Sequence, residues 1–221
     1  MALPASAQAL CDQLLALMRS DPDHHITPLQ RHELFQAFDI PHQHTPVVNR
    51  FRGWLGILTA RYVLPIWHAA LPIWTEIPQD LPDDNLLPDR LITLAEVVVA
   101  GTADLQAAWL EVNEQWYVVG NIGDSFTAHR DDVPLATYYA CDAALRALYE
   151  ALNTDFLGQI PGQADYTDET LPDEWRDSAS SAVVAYAGDG EAEAVDVLKR
   201  RLFWEWWLQE ALPTAWKRAA E

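Results

Sequence analysis

The chain is short of the residues that carry covalent and metal chemistry. Its 221 residues include only two cysteines, Cys11 and Cys141, two methionines and nine glycines. Each cysteine sits inside an apolar helical pattern. Two are too few for a disulfide framework, and a reducing compartment fits them. No uninterrupted apolar run approaches the roughly 20 residues needed to cross a bilayer. The opening "MALPASAQAL" has neither the positive start nor the apolar block of a secretory signal. These absences read as a soluble, cytoplasmic protein with no membrane partner. A phosphate-cradling glycine loop, a GxSxG elbow and an HExxH pair are missing as well. "AHRDD" at Ala128–Asp132 echoes a kinase catalytic loop without any of the accompanying kinase elements.

Positive charge is the other scarcity. There are 14 Lys and Arg against 33 Asp and Glu, for a formal net charge of −19. Residues 1–75 balance, with five bases (Arg19, Arg31, Arg50, Arg52, Arg61) and five acids (Asp12, Asp21, Asp23, Glu33, Asp39). The whole excess therefore falls in residues 76–221. It is densest over Asp165–Asp196, where ten acids accompany one base, Arg176. Such a surface repels nucleic acid and anionic membrane and attracts cationic proteins in a salt-sensitive way. Acid also serves simply to keep a chain with 10 tryptophans soluble, so both explanations stand at this point.

What is abundant is helical periodicity. Half of the residues are apolar, enough to bury one substantial core, and a single domain is expected. Apolar residues recur at three- and four-residue steps, and prolines fall where helices begin or stop. The first helix is expected over Ala5–Arg19, with Leu10, Leu14, Leu17 and Met18 on one face. Thr27-Pro28 opens a second, to about Phe38, by the pairing of a capping residue with proline at the first helical position. Thr45-Pro46 repeats that signal and opens a third, striped by Val48, Phe51, Leu55, Leu58 and Tyr62. A fourth runs from Pro88 to about Ala100, stopped by Gly101. Thr102 is expected to cap a fifth, to about Val119, showing Leu105, Trp109, Val112 and Trp116. "GNIGDSFTAHRDD" then reads as a loop. Asp131, Asp132 and Pro134 start a sixth helix to about Leu152, with Leu135, Tyr138, Tyr139, Leu145, Leu148 and Tyr149 as its apolar face. Residues 153–170 read as an acidic internal loop. A seventh helix is expected from near Pro172 to Gly188, and an eighth from Glu191 to about Lys217. The eighth contains "LFWEWWLQEALPTAW" and is apolar on most sides, which places it in the core. The fold class is all-α, an array of seven or eight helices.

"VLPIWHAALPIW", Val63 to Trp74, says Leu-Pro-Ile-Trp twice. Pro65 removes the amide that would bond to the carbonyl of Arg61, so the third helix should kink or end there. The two copies are too close for a repeat unit. They read as a buried helix end around Trp67, with the second copy as the exit.

Candidate chemistry is sparse. His24, His25, His32, His42 and His44 cluster near the N-terminus, within the helices of residues 1–45. With Asp21, Asp23, Glu33 and Asp39 nearby they are compatible with zinc or nickel. No cysteine pair or confident i, i+4 pair accompanies them, and a solvated polar region is the better reading. His68 reads as a hydrogen-bonded core histidine. Glu205 and Glu210, on the Trp-rich helix, are candidates for buried acids with raised pKa. Neither cysteine has an activating partner in sequence. On this evidence the chain is a non-enzymatic helical protein, with no cofactor and no metal expected.

Four stretches together carry a resemblance. "ILTARYVLPIWHAALP", "LPDRLITLAEVVVAGTAD", "ATYYACDAALRALYEAL" and "FWEWWLQEALPTAW" resemble the fifth family of predicted immunity proteins of bacterial polymorphic toxin systems. The resemblance covers roughly Trp54 to Trp216, within the region 46–221. In that family a glutamate often follows the LPIW tryptophan; here His68 follows Trp67, and Thr75-Glu76 follow Trp74, so no functional residue transfers. The resemblance implies an all-α inhibitor of a cognate toxin, made by the same cell or its siblings. Joined to the charge, it implies a basic toxin, a nuclease being one that must grip phosphates. The partner-binding residues expected are Asp165, Tyr166, Asp168, Glu169, Asp173, Glu174, Trp175 and Asp177, with Glu76, Asp80, Asp83 and Asp84 second. Tyr166 and Trp175 are the aromatic anchors of that set. A helical scaffold for another partner and a metal-dependent enzyme built on the histidines are the alternatives.

Overall fold

The structure, a computed structural model, describes residues 2–38, 46–70, 86–128, 135–153, 166–172, 175–188, 190 and 194–221, with 124–128 as backbone only. Among these residues there is helix and no strand. The helices are α1 (Ala5–Ser20), α2 (Pro28–Phe38), α3 (Pro46–Ala70), α4 (Leu87–Val99), α5 (Leu105–Ala128), α6 (Leu135–Leu152), α7 (Ser178–Ala187), α8 (Val197–Trp206) and α9 (Leu212–Ala219). A π-helical turn, Trp207–Ala211, joins α8 to α9 in one continuous rod.

The capping signals operate largely as written. Thr27 and Gln30 form a reciprocal capping box: the Gln30 amide donates to Thr27 Oγ1 at 3.3 Å, and the Thr27 amide donates to Gln30 Oε1 at 2.8 Å. Gly101, at φ 72°, ends α4. Its amide reaches Val98 O at 2.9 Å and that of Thr102 reaches Val97 O at 3.2 Å, the paired bonds of a left-handed glycine stop.

α3 and α6 form the centre of the array and make its most extensive helix contact; α4, α7 and α9 pack on α3, and α4, α5 and α7 on α6. The two central helices approach closely because one face of α3 carries Gly53 and Gly56 opposite Ala147 and Ala151. A Cβ at position 56 would lie 2.5 Å from Glu150 Oε2 and 3.2 Å from Ala147 Cα. Around this seam lies a continuous aromatic core. Phe38 stacks on Phe51 at 4.3 Å, Trp216 meets both rings, and Trp204 and Trp207 meet edge to face at 5.7 Å. Trp67, Trp204 and Trp207 are among the largest fully buried side chains.

Several boundaries differ from the sequence reading. α3 continues through Pro65 to Ala70. Val63, Trp67 and Ala70 are all buried, and their burial outweighs the roughly 3 kcal/mol that proline costs a helix interior. The second Leu-Pro-Ile-Trp lies outside the described residues, as do His42, His44 and Thr45. α5 is capped by Asp104, whose Oδ1 accepts from the amides of Gln106 and Ala107, while the Thr102 hydroxyl donates back to Val97 O. α5 also runs past Val119 through "GNIGDSFTA", the stretch expected to be loop. Buried Val119 and Ile122 hold that turn, and Gly123 lies so close to Tyr138 that a Cβ would stand 2.9 Å from the ring. Packing there overrides the roughly 1 kcal/mol helix cost of each glycine.

α7 begins at Ser178, capped by Asp177, and not near Pro172. α8 begins after Asp196, whose carboxylate accepts from the Leu198 and Lys199 amides. The π turn answers Pro213: that ring has no amide to close an α-turn, and the widened turn before it makes room. Leu17 is 47% exposed, not part of the α1 core face, which is made of Ala7, Cys11, Leu14 and Met18. In α5 the expected face is largely solvated: Val112 is buried, while Leu105, Trp109 and Trp116 are exposed.

Since the Trp67 ring is wholly interior, Trp67→Ala is expected to cost about 3–5 kcal/mol in urea unfolding. A loss below about 1 kcal/mol would place the ring in solvent.

Candidate partner-binding surface

The segment with the densest negative charge returns to the protein interior. Arg31, on α2, is buried, and its guanidinium forks across three groups. Nε and Nη2 donate to Asp177 Oδ2 and Oδ1, each at 3.0 Å, Nη2 stands 2.9 Å from Asp168 Oδ1, and Nη2 also donates to Ser180 Oγ at 2.5 Å. Nη1 donates to the carbonyl of Ile26 at 2.9 Å, and the guanidinium lies 5.2 Å over the Trp204 ring. Asp177 simultaneously caps α7 by accepting from the Ser180 amide at 2.6 Å. One arginine thus ties α2, the acidic segment, the start of α7 and the Trp-rich rod together.

Two further arginines reach the same region. Arg146 donates to Asp142 at 2.7 Å and to the carbonyl of Arg176 at 2.8 Å, and Asp142 also accepts from the Ser181 hydroxyl at 2.5 Å. Arg200, on α8, is ion-paired with Glu169 and donates to Asp23 O at 3.2 Å and to His25 Nε2 at 2.8 Å.

Burial opposes the charge on Arg31, yet Asp168 and Asp177 outweigh it and hold its pKa above the ordinary value. Asp177 is the carboxylate that gains: burial raises its pKa, while Arg31 and the Ser180 donors lower it further, for a net fall. Asp168 keeps a net rise because burial exceeds what Arg31 returns. Glu150 accepts from the Ser178 amide at 2.6 Å and hydroxyl at 2.9 Å. Burial, reinforced by the charge of Asp177, pushes its pKa up to about 7.

The expected partner-facing acids therefore divide. Asp168 and Asp177 are interior, and their carboxylates are committed to Arg31. Glu169 is partly buried and held by Arg200. Tyr166 and Trp175 are half-buried and meet each other edge to face at 5.6 Å. Asp165, Asp173, Glu174, Glu76, Asp80, Asp83 and Asp84 lie outside the described residues. The internal role of Asp168 and Asp177 escaped the sequence reading because their cation comes from α2, far away in the chain. The one local sign was Asp177 followed by "SASS", a capping pattern.

Nothing in this network is arranged as a nucleophile. The Ser178, Ser180 and Ser181 hydroxyls donate to carboxylates. Burial raises the thiol pKa of Cys11 to about 11 and that of Cys141 well above its ordinary value, so both stay protonated at neutral pH. Glu205 is not a buried acid with a raised pKa: hydrogen bonding to Arg19, at 2.7 Å, leads a net fall. Glu210 is exposed. His68 is also exposed and bonded to Asp89 at 2.9 Å, not a core residue. Among the described residues no group of three or more His, Cys, Asp or Glu side chains could hold a metal ion, and no helix is long and apolar enough to cross a membrane.

One other surface feature mixes apolar and charged side chains. A cleft of about 590 Å³ opens between α4 and α5, lined by Leu86, Arg90, Leu94, Val97, Glu111 and Gln115 among others.

Comparison with known proteins gives one family. A family model described as "Immunity protein Imm5" matches residues 11–214. Comparison with curated proteins found no match.

Two outcomes test this network. Arg31→Met strands two buried carboxylates and is expected to cost about 3–5 kcal/mol in denaturant unfolding, as expected for a broken buried pair; Arg31→Lys, lacking the fork, should recover little of it. The second follows from Glu150, whose folded pKa of about 7 stands above its ordinary 4.5. A carboxyl shifted this way favours the fold at low pH and loses that advantage as pH rises through the interval between the two values. The melting temperature of the wild type should therefore fall relative to Glu150→Gln between pH 5 and pH 8. Parallel profiles would show that Glu150 is not shifted.

Proposed function

The chain belongs to the Imm5 family of immunity proteins, and on that premise we propose that it binds and neutralises a cognate toxin domain whose surface is basic. The observation that carries the basic partner is the surplus of acid over base. Arg31, Arg146 and Arg200 are spent inside the protein on Asp168, Asp177, Asp142 and Glu169. Arg19, Arg61, Arg90 and Arg201 each face an acid at the surface. With 33 acids to 14 bases, carboxylates outnumber cations by 19. A protein so charged attracts a cationic domain at long range and speeds their encounter.

A nuclease is the toxin class that suits this chemistry, since a groove built to hold phosphates accepts carboxylates in their place. Inhibition then needs occupation of the groove and no catalysis. Glu76, Asp80, Asp83, Asp84, Asp165, Asp173 and Glu174 are the acids assigned to contact, with Tyr166 and Trp175 beside the second group. Asp168 and Asp177 serve the fold from within, by tying the described residues around them to Arg31.

The test is a pull-down from native lysate at low and at high salt, followed by mass spectrometry and titration of the purified partner. A stoichiometric basic toxin, released by salt, is expected. Replacing Glu76, Asp80, Asp83, Asp84, Asp165, Asp173 and Glu174 by lysine should slow association by roughly tenfold or more without lowering the melting temperature. Unchanged association would remove the acidic contact.

A further inference from the structure

α5 carries apolar groups on both sides, and among the described residues it packs on one. Ala108, Val112, Val119 and Ile122 are buried against the rest of the fold, and α6 is its main neighbour. Trp109 and Trp116, seven residues apart, touch Tyr149 of α6 with one edge, at centroid separations of 5.8 and 6.1 Å. Arg146, already paired with Asp142, lies 5.2 Å over the Trp116 ring. Beyond these contacts the helix turns large apolar groups outward. Tyr117 is 79% exposed, Leu110 57% and Leu105 56%, and Trp109 and Trp116 remain more than a third exposed. At 100° per residue, Leu105, Trp116, Trp109, Tyr117 and Leu110 fall within one sector, with Gln106, Asn113 and Gly120 between them. A Cβ at Gly120 would meet nothing within 4 Å, so the sector is open there too.

Clustered exposed aromatics at helical spacing mark an interaction face, and Trp and Tyr are the residues that carry interface energy. The charge around the sector says which occupant fits. α5 contains no lysine or arginine. Glu114 is exposed beside Leu110, the exposed Asp104 caps the helix ahead of Leu105, and Glu111 faces Arg90 across the α4 cleft at 3.5 Å. A second copy of the chain would bring like-charged rims and two charges of −19 together, which disfavours self-pairing.

We infer that the outward face of α5, centred on Leu110 and Tyr117, is the anchoring surface for the cationic toxin domain, taking an apolar patch ringed by lysine or arginine. This rests on the toxin-binding reading and adds a location to it: diffuse carboxylates draw the partner in, and the α5 face holds it.

The experiment uses the full chain and the purified basic toxin domain recovered by the salt-sensitive pull-down, titrated calorimetrically. Leu110→Ser combined with Tyr117→Ala removes two exposed side chains and should leave the melting temperature unchanged. It should weaken the Kd at least tenfold, the scale of a lost interface anchor, with the salt dependence of association retained. Glu114→Lys should weaken binding through association rate alone. Wild type and double variant with equal Kd would overturn the α5 assignment while leaving the toxin reading intact. A wild-type chain that binds no basic toxin would overturn the reading beneath it. A wild-type dimer in sedimentation that the double variant makes monomeric would show a second copy as the occupant and overturn the heterologous partner.

Discussion

Arg31 is a cation without water, and the surrounding structure is arranged to make that tolerable. A guanidinium taken out of solvent needs carboxylates and acceptors in its own plane. Asp177, Asp168, Ser180 and the Ile26 carbonyl supply them from three parts of the chain. Because Asp177 also caps α7, the pair decides where that helix starts. Because Arg31 lies over Trp204, it also fixes how the Trp-rich rod approaches α2. A fully buried ion pair of this kind adds little net stability over an apolar replacement. Its consequence is register: only one placement of the acidic segment leaves neither charge alone.

The same constraint shapes the outside. The three inward arginines are matched by four carboxylates, Asp142, Asp168, Glu169 and Asp177, so the interior network leaves almost the whole acid surplus to the rest of the chain. Arg146 and Arg200 repeat the pattern of Arg31, each bridging the 166–181 region to a neighbouring helix. What remains in solvent is an acid-rich shell over a fold whose packing is aromatic. Within that shell α5 stands apart, because its outward face is apolar and its only charges are negative. In the proposed complex, long-range attraction and short-range anchoring fall to different residues.

Local rules were the legible part of the fold. The Thr27-Pro28-Leu29-Gln30 box, the Gly101 stop and the stripe of Val48, Phe51 and Leu55 each involve groups a few residues apart, where spacing alone decides the geometry. The illegible parts were decided at a distance. Pro65 and the glycines at 120 and 123 looked like breaks, but Trp67, Val119 and Ile122 had burial to gain by staying helical. The stripe Leu105, Trp109 and Trp116 carried the pattern of a core face, and a pattern does not state whether another helix arrives to cover it. Asp168 and Asp177 read as surface acids because runs of carboxylates usually are; their cation lay at position 31.

By itself, then, the sequence determined the all-α class, most helix starts and stops, the core position of the Trp-rich rod and the surplus of negative charge. All of these follow from propensity, periodicity and composition, which act within a turn or two or over the whole chain at once. The tertiary structure alone decided which carboxylates are interior, which prolines and glycines a helix tolerates and which apolar face stays in water. Each of those depends on what packs against it, and burial is a property of pairs of segments that no single stretch of sequence contains.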